Sequence, residues 1–255
     1  MRDQKDNIFM NVFGRIWAAW GLLSFVMTFL IIFPFSMCSW LFKDYRKGQI
    51  FFLAVSRIWM RFWLFIIGCP VSVYGRKDFK PGENYVVTYN HNAFLDVPLS
   101  APFVPEANKT IAKKEFSKVP IFGAFYRRGG LMIDRSSEQS RRNSFEAMSK
   151  VLRMRMHMCI YPEGTRNKTT EPLRPFYDGA FKLAIANQKD IIPCVMTGTA
   201  RAMPHYKKYF LRPTRLAMYF LPPIPSANKT AQELNAEVRE AMLQCYQEKE
   251  RFARQ

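Results

Sequence analysis

Apolar residues dominate from Ile8 to Pro70, broken by the polar segment Lys43–Gln49, and beyond Pro70 they recur in short runs divided by polar segments punctuated by Gly and Pro. The stretch from Ile16 to Phe42 carries no charge. As a helix it is about 40 Å long, more than the roughly 30 Å of bilayer hydrocarbon. It is too long for the apolar core of a signal peptide and ends in no small-x-small cleavage site, so it is expected to be retained. Pro34 is expected to kink it. A second apolar stretch, Ile50 to Val73, contains Arg57 and Arg61, four residues apart and therefore on one helical face that seeks phosphate or water. A full crossing would bury both cations, whereas an in-plane or half-inserted helix lets them reach the interface. Two full crossings would also set Lys43, Arg46 and Lys47 on the side opposite the basic remainder of the chain, against the positive-inside bias. The pattern therefore predicts a kinked helical hairpin dipping into one leaflet. Two buried core helices, or one crossing with the second helix on the surface, are the alternatives.

After Tyr74 the period shortens to β-rich runs separated by helix-length segments, which predicts an α/β domain. The expected strands are Val71–Tyr74, Tyr85–Tyr89, Thr110–Lys113, Leu131–Asp134, His157–Tyr161, Ile191–Thr197 and Arg215–Phe220. Helices are expected over Gln139–Arg153 and Gly179–Asn187. A C-terminal helix should open at the capping-box sequence Thr230-Ala-Gln-Glu233 and pack Leu234, Val238, Met242 and Cys245 along one stripe. The division is residues 1–70, membrane-associated apolar helices, and 71–255, one catalytic domain.

Charge narrows the partners. Lys+Arg number 38 against 20 Asp+Glu, a net +18, so the chain seeks anions. A basic protein with an apolar anchor belongs on anionic headgroups, which favours a membrane and argues against nucleic acid. The five cysteines form no C-x-x-C pair, so neither a zinc knuckle nor a disulfide framework is indicated. No metal site is expected.

The candidate chemistry lies at strand ends, where open α/β folds place reacting groups. Tyr85–Tyr89 runs into Asn90-His91-Asn92-Ala93-Phe94-Leu95-Asp96. His91 and Asp96, five apart, would diverge by about 140° on a straight helix, so they meet only across a turn entering a helix. If they do, the carboxylate fixes the imidazole tautomer and leaves Nε2 to accept a proton. The strand His157–Tyr161 ends in Pro162-Glu163-Gly164-Thr165-Arg166, where Arg166 suits phosphate, Gly164 permits close backbone approach, and Glu163 either holds the arginine or meets a hydroxyl. Gly129-Gly130-Leu-Met-Ile-Asp134-Arg135 delivers a second arginine, and two arginines at strand ends suit a phosphate clamp. His157 and His205 have no partner at ligand spacing.

This ordered set resembles the 1-acylglycerol-3-phosphate acyltransferase family of glycerolipid acyltransferases. The chain is similar to its N-H-x-x-x-x-D block at Asn90–Asp96 and its P-E-G-T-R block at Pro162–Arg166. Ala112–Phe116, Val119–Gly123 and Ile133–Arg135 look like the second block, and Ile191–Val195 like the fourth. The resemblance covers about residues 85–200, and the apolar N-terminal hairpin is similar to the family's membrane-binding element. It implies a mixed sheet flanked by helices and direct transfer of a fatty acyl group from a thioester of coenzyme A or acyl carrier protein to the sn-2 hydroxyl of a lysophospholipid. It also implies His91 as base with Asp96 as its orienting partner, acceptor phosphate on Arg135 and Arg166, an acceptor loop at Glu163, Gly164 and Thr165, and Lys114 as a further contact. No resident cofactor is implied, and the catalytic domain is expected on the cytoplasmic face of a membrane. Ala93 stands where a small hydroxyl residue is common and Asn167 where serine is common, which touches the choice of headgroup. With no G-x-S-x-G elbow and no cysteine beside His91, an acyl-enzyme lacks its usual signature. A lipid hydrolase or a non-catalytic membrane-binding module are the competing classes.

Overall fold

Long apolar runs make the first two elements helical, and short, mostly apolar runs make the later ones strands. The computed structural model describes residues 8–133 and 137–252. Helices α1 (Ile8–Met37) and α2 (Tyr45–Ile66) form the hairpin, joined through a 3-10 turn at Cys38–Leu41. Asp44 caps α2 by accepting from Lys47 N at 3.1 Å. Pro34 lies one turn from the end of α1, which stops at Met37.

Strands β1 (Val71–Tyr74) and β6 (Ile191–Thr197) have the expected bounds. Strands β2 (Val86–Tyr89), β3 (Asn108–Ala112), β4 (Gly130–Met132), β5 (His157–Ile160) and β7 (Leu216–Phe220) differ from expectation by one or two residues at their ends. They form one sheet in the order β1-β7-β6-β2-β5-β3-β4. The run β6-β2-β5-β3-β4 is parallel throughout, while β7 is antiparallel to β6 and parallel to β1. The sheet is mixed, as expected.

Helices cover both faces. On one, the hairpin contributes Phe29, Trp59, Trp63 and Leu64 to a core shared with Val87, Tyr89, Cys159 and Ile192. On the other, α5 (Glu138–Arg153), α6 (Gly179–Ala186) and α8 (Ala231–Phe252) pack on Val86, Met158, Ile160 and Val195. The capping box at the start of α8 forms: Glu233 N donates to Thr230 Oγ1 at 3.2 Å, and Thr230 N to Glu233 Oε2 at 2.7 Å. Leu234, Val238 and Met242 are fully buried and Cys245 nearly so. Shorter helices α3 (Asp96–Ser100), α4 (Phe122–Gly129) and α7 (Thr199–Ala202) follow β2, precede β4 and follow β6.

The hairpin's residue distribution is inside out for a soluble core helix. Toward the sheet α1 buries mostly small residues, Gly14, Gly21, Ser24 and Ser36, with Phe29. Its large side chains, among them Ile8, Phe9, Ile16, Leu22, Leu30 and Ile31, are exposed. Indole N–H groups zip the pair together: Trp17 Nε1 donates to the Ile67 carbonyl at 2.9 Å, Trp63 Nε1 to the Gly21 carbonyl at 3.1 Å, and Trp59 Nε1 to Thr28 Oγ1 at 2.9 Å. Arg57 is half-buried and commits two of its three nitrogens to the protein, where the sequence pattern suggested phosphate or water. Its Nε and Nη2 donate to the Pro102 and Val104 carbonyls at 2.6 and 3.0 Å, and the Arg61 guanidinium lies 5.6 Å from the centre of the Phe103 ring. Arg57 and Arg61 hold the segment after α3 against α2.

Candidate active site

Asn90 leaves β2 tied to its neighbour β6: its Nδ2 donates to the Met196 carbonyl at 2.9 Å and its Oδ1 accepts from Met196 N at 2.7 Å. The chain then turns, and Asp96 opens α3. That turn brings His91 Nδ1 to 2.9 Å from Asp96 Oδ2, so the five-residue spacing closes across a helix entry as its geometry requires. The same oxygen accepts from Asn92 N at 2.6 Å and Ala93 N at 2.8 Å. Asp96 is fully buried, whereas the His91 side chain keeps 16% of its surface accessible. Three N–H donors on one oxygen fix the carboxylate, and it in turn holds the proton on Nδ1, leaving Nε2 as acceptor. Because position 93 contributes its backbone N–H, alanine there costs the arrangement nothing.

The loop after β5 locks onto this turn. Glu163 Oε1 accepts from His91 N at 2.8 Å, Glu163 Oε2 accepts from Arg174 N at 3.1 Å, and Asn167 N donates to the His91 carbonyl at 2.6 Å. Glu163 is fully buried, so it neither holds Arg166 nor meets a substrate hydroxyl, as its loop position had suggested; it tethers two loops through their backbones. Burial pushes its carboxyl up to about 7, opposed by the two backbone N–H groups and reinforced by nearby Asp96. Gly164 carries φ +69°, a conformation that favours glycine, in a turn closed by Gly164 N donating to the Tyr161 carbonyl at 3.0 Å. The Asn167 side chain is spent on its own loop, bonding Thr169 and the Glu171 carbonyl.

His91 opens on a cavity of about 1340 Å³ whose walls are mostly apolar and come from both hairpin helices and α4. Gly164, Thr165, Arg166 and Lys114 line it together with His91, so the structure gathers these expected residues around one space. Arg135 lies outside the described residues. Several contributors escaped the sequence reading. Tyr161 packs against the imidazole with ring centres 4.4 Å apart and planes tilted by 37°, and its hydroxyl donates to the Asp96 carbonyl at 3.0 Å. Phe94 carries the Arg166 guanidinium 3.7 Å above its ring. Lys113 and Lys168 add positive charge to the cavity wall. The signals available were weak: Tyr161 directly precedes Pro162, and Phe94 sits inside the His91–Asp96 interval. The thiols offer no nucleophile here, since Cys69, Cys159, Cys194 and Cys245 are buried and burial pushes Cys159 up to about 12. His157 is buried too; its Nδ1 accepts from Tyr85 N at 3.1 Å, and burial lowers it to about 4.

A family model described as Acyltransferase matches residues 70–197, half of the chain, and spans β1 through β6 with the His91–Asp96 pair and the loop after β5. The chain belongs to the acyltransferase family. Among its relatives, a 1-acyl-sn-glycerol-3-phosphate acyltransferase of Cocos nucifera is 30% identical over 213 residues, covering 82% of this chain and 64% of that protein. A 1-acyl-sn-glycerol-3-phosphate acyltransferase alpha of Mus musculus is 29% identical over 228 residues, covering 86% and 77%. The chain thus spans a little under two thirds of the coconut protein's length. The crystal structure of the 1-acyl-sn-glycerophosphate (LPA) acyltransferase PlsC from Thermotoga maritima superposes with a TM-score of 0.77 at 21% identity, over 94% of this chain and 97% of that one. Its fold is the fold of this chain.

Proposed function

We propose that the protein transfers a fatty acyl group from an acyl thioester to the sn-2 hydroxyl of 1-acylglycerol-3-phosphate, giving phosphatidic acid for phospholipid synthesis. The observation that carries this is a tautomer-fixed imidazole, His91 on Asp96, lining a large apolar cavity whose polar wall holds Arg166, Lys113, Lys114 and Lys168. The apolar volume suits acyl chain and the cations suit phosphate. The names borne by the relatives point to the same acceptor.

In this reading His91 Nε2 takes the hydroxyl proton as the oxygen attacks the thioester carbonyl. The tetrahedral oxyanion collapses, the new ester forms, the C–S bond breaks, and the departing thiolate recovers the proton from the imidazolium. Asp96 stabilises the imidazolium throughout, and Arg166 holds the acceptor phosphate. The carrier, coenzyme A or acyl carrier protein, is a co-substrate, and no resident cofactor takes part. The exposed apolar face of α1 seats the enzyme in a bilayer, because contiguous apolar surface of this extent is stable only when covered. The basic domain stays on the cytoplasmic side.

The test is thioester consumption by the wild type and His91→Ala against a panel of lysolipids with both carriers. Consumption should require an acceptor, be greatest with 1-acylglycerol-3-phosphate, and drop about 10² to 10⁴-fold in the variant. Acceptor-independent consumption makes the protein a hydrolase, and vesicle binding without consumption makes it a binding module.

A further inference from the structure

The segment after α7 closes on itself: Arg212 N donates to the Ala202 carbonyl at 3.0 Å, and Arg212 Nε to the Arg201 carbonyl at 2.7 Å. Its base stands on the first half of α1. Leu211 N donates to the Gly14 carbonyl at 3.0 Å, Lys207 Nζ donates to Asn11 Oδ1 at 2.7 Å, and the Phe210 ring fills the space that a Cβ on Gly14 would need. Phe210 and Leu211 are buried there, but the tip is not. Tyr206 is 65% and Tyr209 87% exposed, with His205 and Lys208 exposed beside them. Tyr209 also holds φ +51°, a conformation that bulky residues rarely adopt. None of Tyr206, Lys208 and Tyr209 lines the cavity. The neighbouring turns of α1 present Val12, Arg15 and Ile16 to solvent, so aromatic, basic and aliphatic groups are exposed on two segments docked on one another.

We propose that the tip, residues 205–209, is a second membrane contact that seats Tyr206 and Tyr209 at the headgroup level of an anionic bilayer with Lys208 against lipid phosphate. The proposal rests on the hairpin lying in the membrane. Tyrosine concentrates at that depth because its ring is apolar and its hydroxyl is not, and each cation near an anionic surface adds roughly fivefold to partitioning. A helix lying alone in an interface is free to roll about its axis. A loop docked on its flank supplies a second line of contact, which fixes the roll and aims the cavity at the lipid.

The test places an environment-sensitive dye at Tyr209→Cys, and separately at Tyr206→Cys, in the full chain carrying Cys38→Ser, since Cys38 is the exposed thiol and the other four are buried. A dye at Ile16→Cys reports the hairpin. On adding phosphatidylcholine–phosphatidylglycerol vesicles, iodide quenching of all three dyes should fall several-fold, and nitroxide at the lipid headgroup should quench them. If the dye at position 16 becomes shielded while those at 206 and 209 stay open to iodide, the loop proposal is overturned and the hairpin reading stands. If no dye responds, both fall. A response of the loop dyes to acyl thioester without vesicles, and none to vesicles, assigns the loop to the donor and likewise overturns the proposal.

Discussion

Asp96→Asn separates what the carboxylate does for the fold from what it does for the reaction. Asp96 Oδ2 accepts three N–H bonds of 2.6 to 2.9 Å, from His91 Nδ1, Asn92 N and Ala93 N. An asparagine that keeps its carbonyl oxygen at that point retains all three, but with a neutral acceptor. Bonds to charged groups contribute about 1.5–3 kcal/mol and neutral ones about 0.5–1.5. Each bond therefore weakens by about 1 kcal/mol, and the fold loses roughly 3 kcal/mol. The chemical loss has another origin. During proton transfer the imidazole becomes a cation beside a buried anion, and that attraction is about 4 kcal/mol at roughly 4 Å with an effective dielectric constant of about 20. Removing the charge should slow turnover by about 10³-fold, with the acceptor KM changed only a few-fold because Asp96 does not touch the cavity. Thermal unfolding and single-turnover thioester consumption, measured on the same preparation, read the two losses separately. A variant that loses stability but turns over within tenfold of wild type refutes the role of the charge, and one that loses rate only through KM refutes the role of the dyad.

Arg166→Ala should raise the acceptor KM by roughly 10 to 100-fold through loss of a charged hydrogen-bond donor; Arg166→Lys should recover only part, because stacking on Phe94 and a two-pronged grip both need the guanidinium. Saturation curves unchanged in Arg166→Ala would show that the arginine is structural. Gly14→Ala, which ordinarily strengthens a helix by about 1 kcal/mol, should lower the melting temperature here, since its Cβ would come within 2.1 Å of the Phe210 ring. An unchanged or higher melting temperature counts against the docking of the 202–212 loop. Two buried groups give opposite pH slopes of stability, each worth up to about 3 kcal/mol. Glu163, raised to about 7, contributes fully below its unfolded value near 4.5 and loses that contribution as pH rises through 7. His157, lowered to about 4, contributes fully above about 6.5 and loses its share as pH falls toward 4. Urea unfolding of wild type should thus be nearly flat with pH where the two windows overlap and their opposite slopes cancel, while His157→Gln should become less stable as pH rises from 5 to 8 and Glu163→Gln more stable. Parallel profiles for the three proteins would contradict both assignments.

Strand positions were legible because short apolar runs set off by Gly and Pro from helix-length segments suit buried strands, and Ile191–Thr197 was found at its observed bounds. The His91–Asp96 contact was legible because five residues exclude a straight helix. Glu163 was misread for a physical reason: a carboxylate in a polar loop looks solvated until the fold shows that its two oxygens face the N–H groups of His91 and Arg174, the second of them eleven residues further on. Arg57 was misread in the same way, since the carbonyls of Pro102 and Val104 that it serves are invisible in a linear pattern. Local rules see periods and caps, and the missed residues act through partners far along the chain.

Strand order explains why blocks scattered over a hundred positions act together. Along the chain they sit on or after β2, β3, β5 and β6; in space these strands run β6-β2-β5-β3, all parallel. Their C-terminal ends therefore lie side by side, and the dyad leaves β2 between the two strands that restrain it. Met196 of β6 grips Asn90 from one side, while Tyr161, Glu163 and Asn167 after β5 grip His91 and Asp96 from the other. Lys113 and Lys114, after β3, lie one strand further out. His91, flanked on both sides by central strands, has little freedom to drift, and the lysines one strand away line the same cavity. The proposed reaction thus has its base held at the buried middle of the sheet, with the cations proposed for the phosphate on the more exposed loops around it.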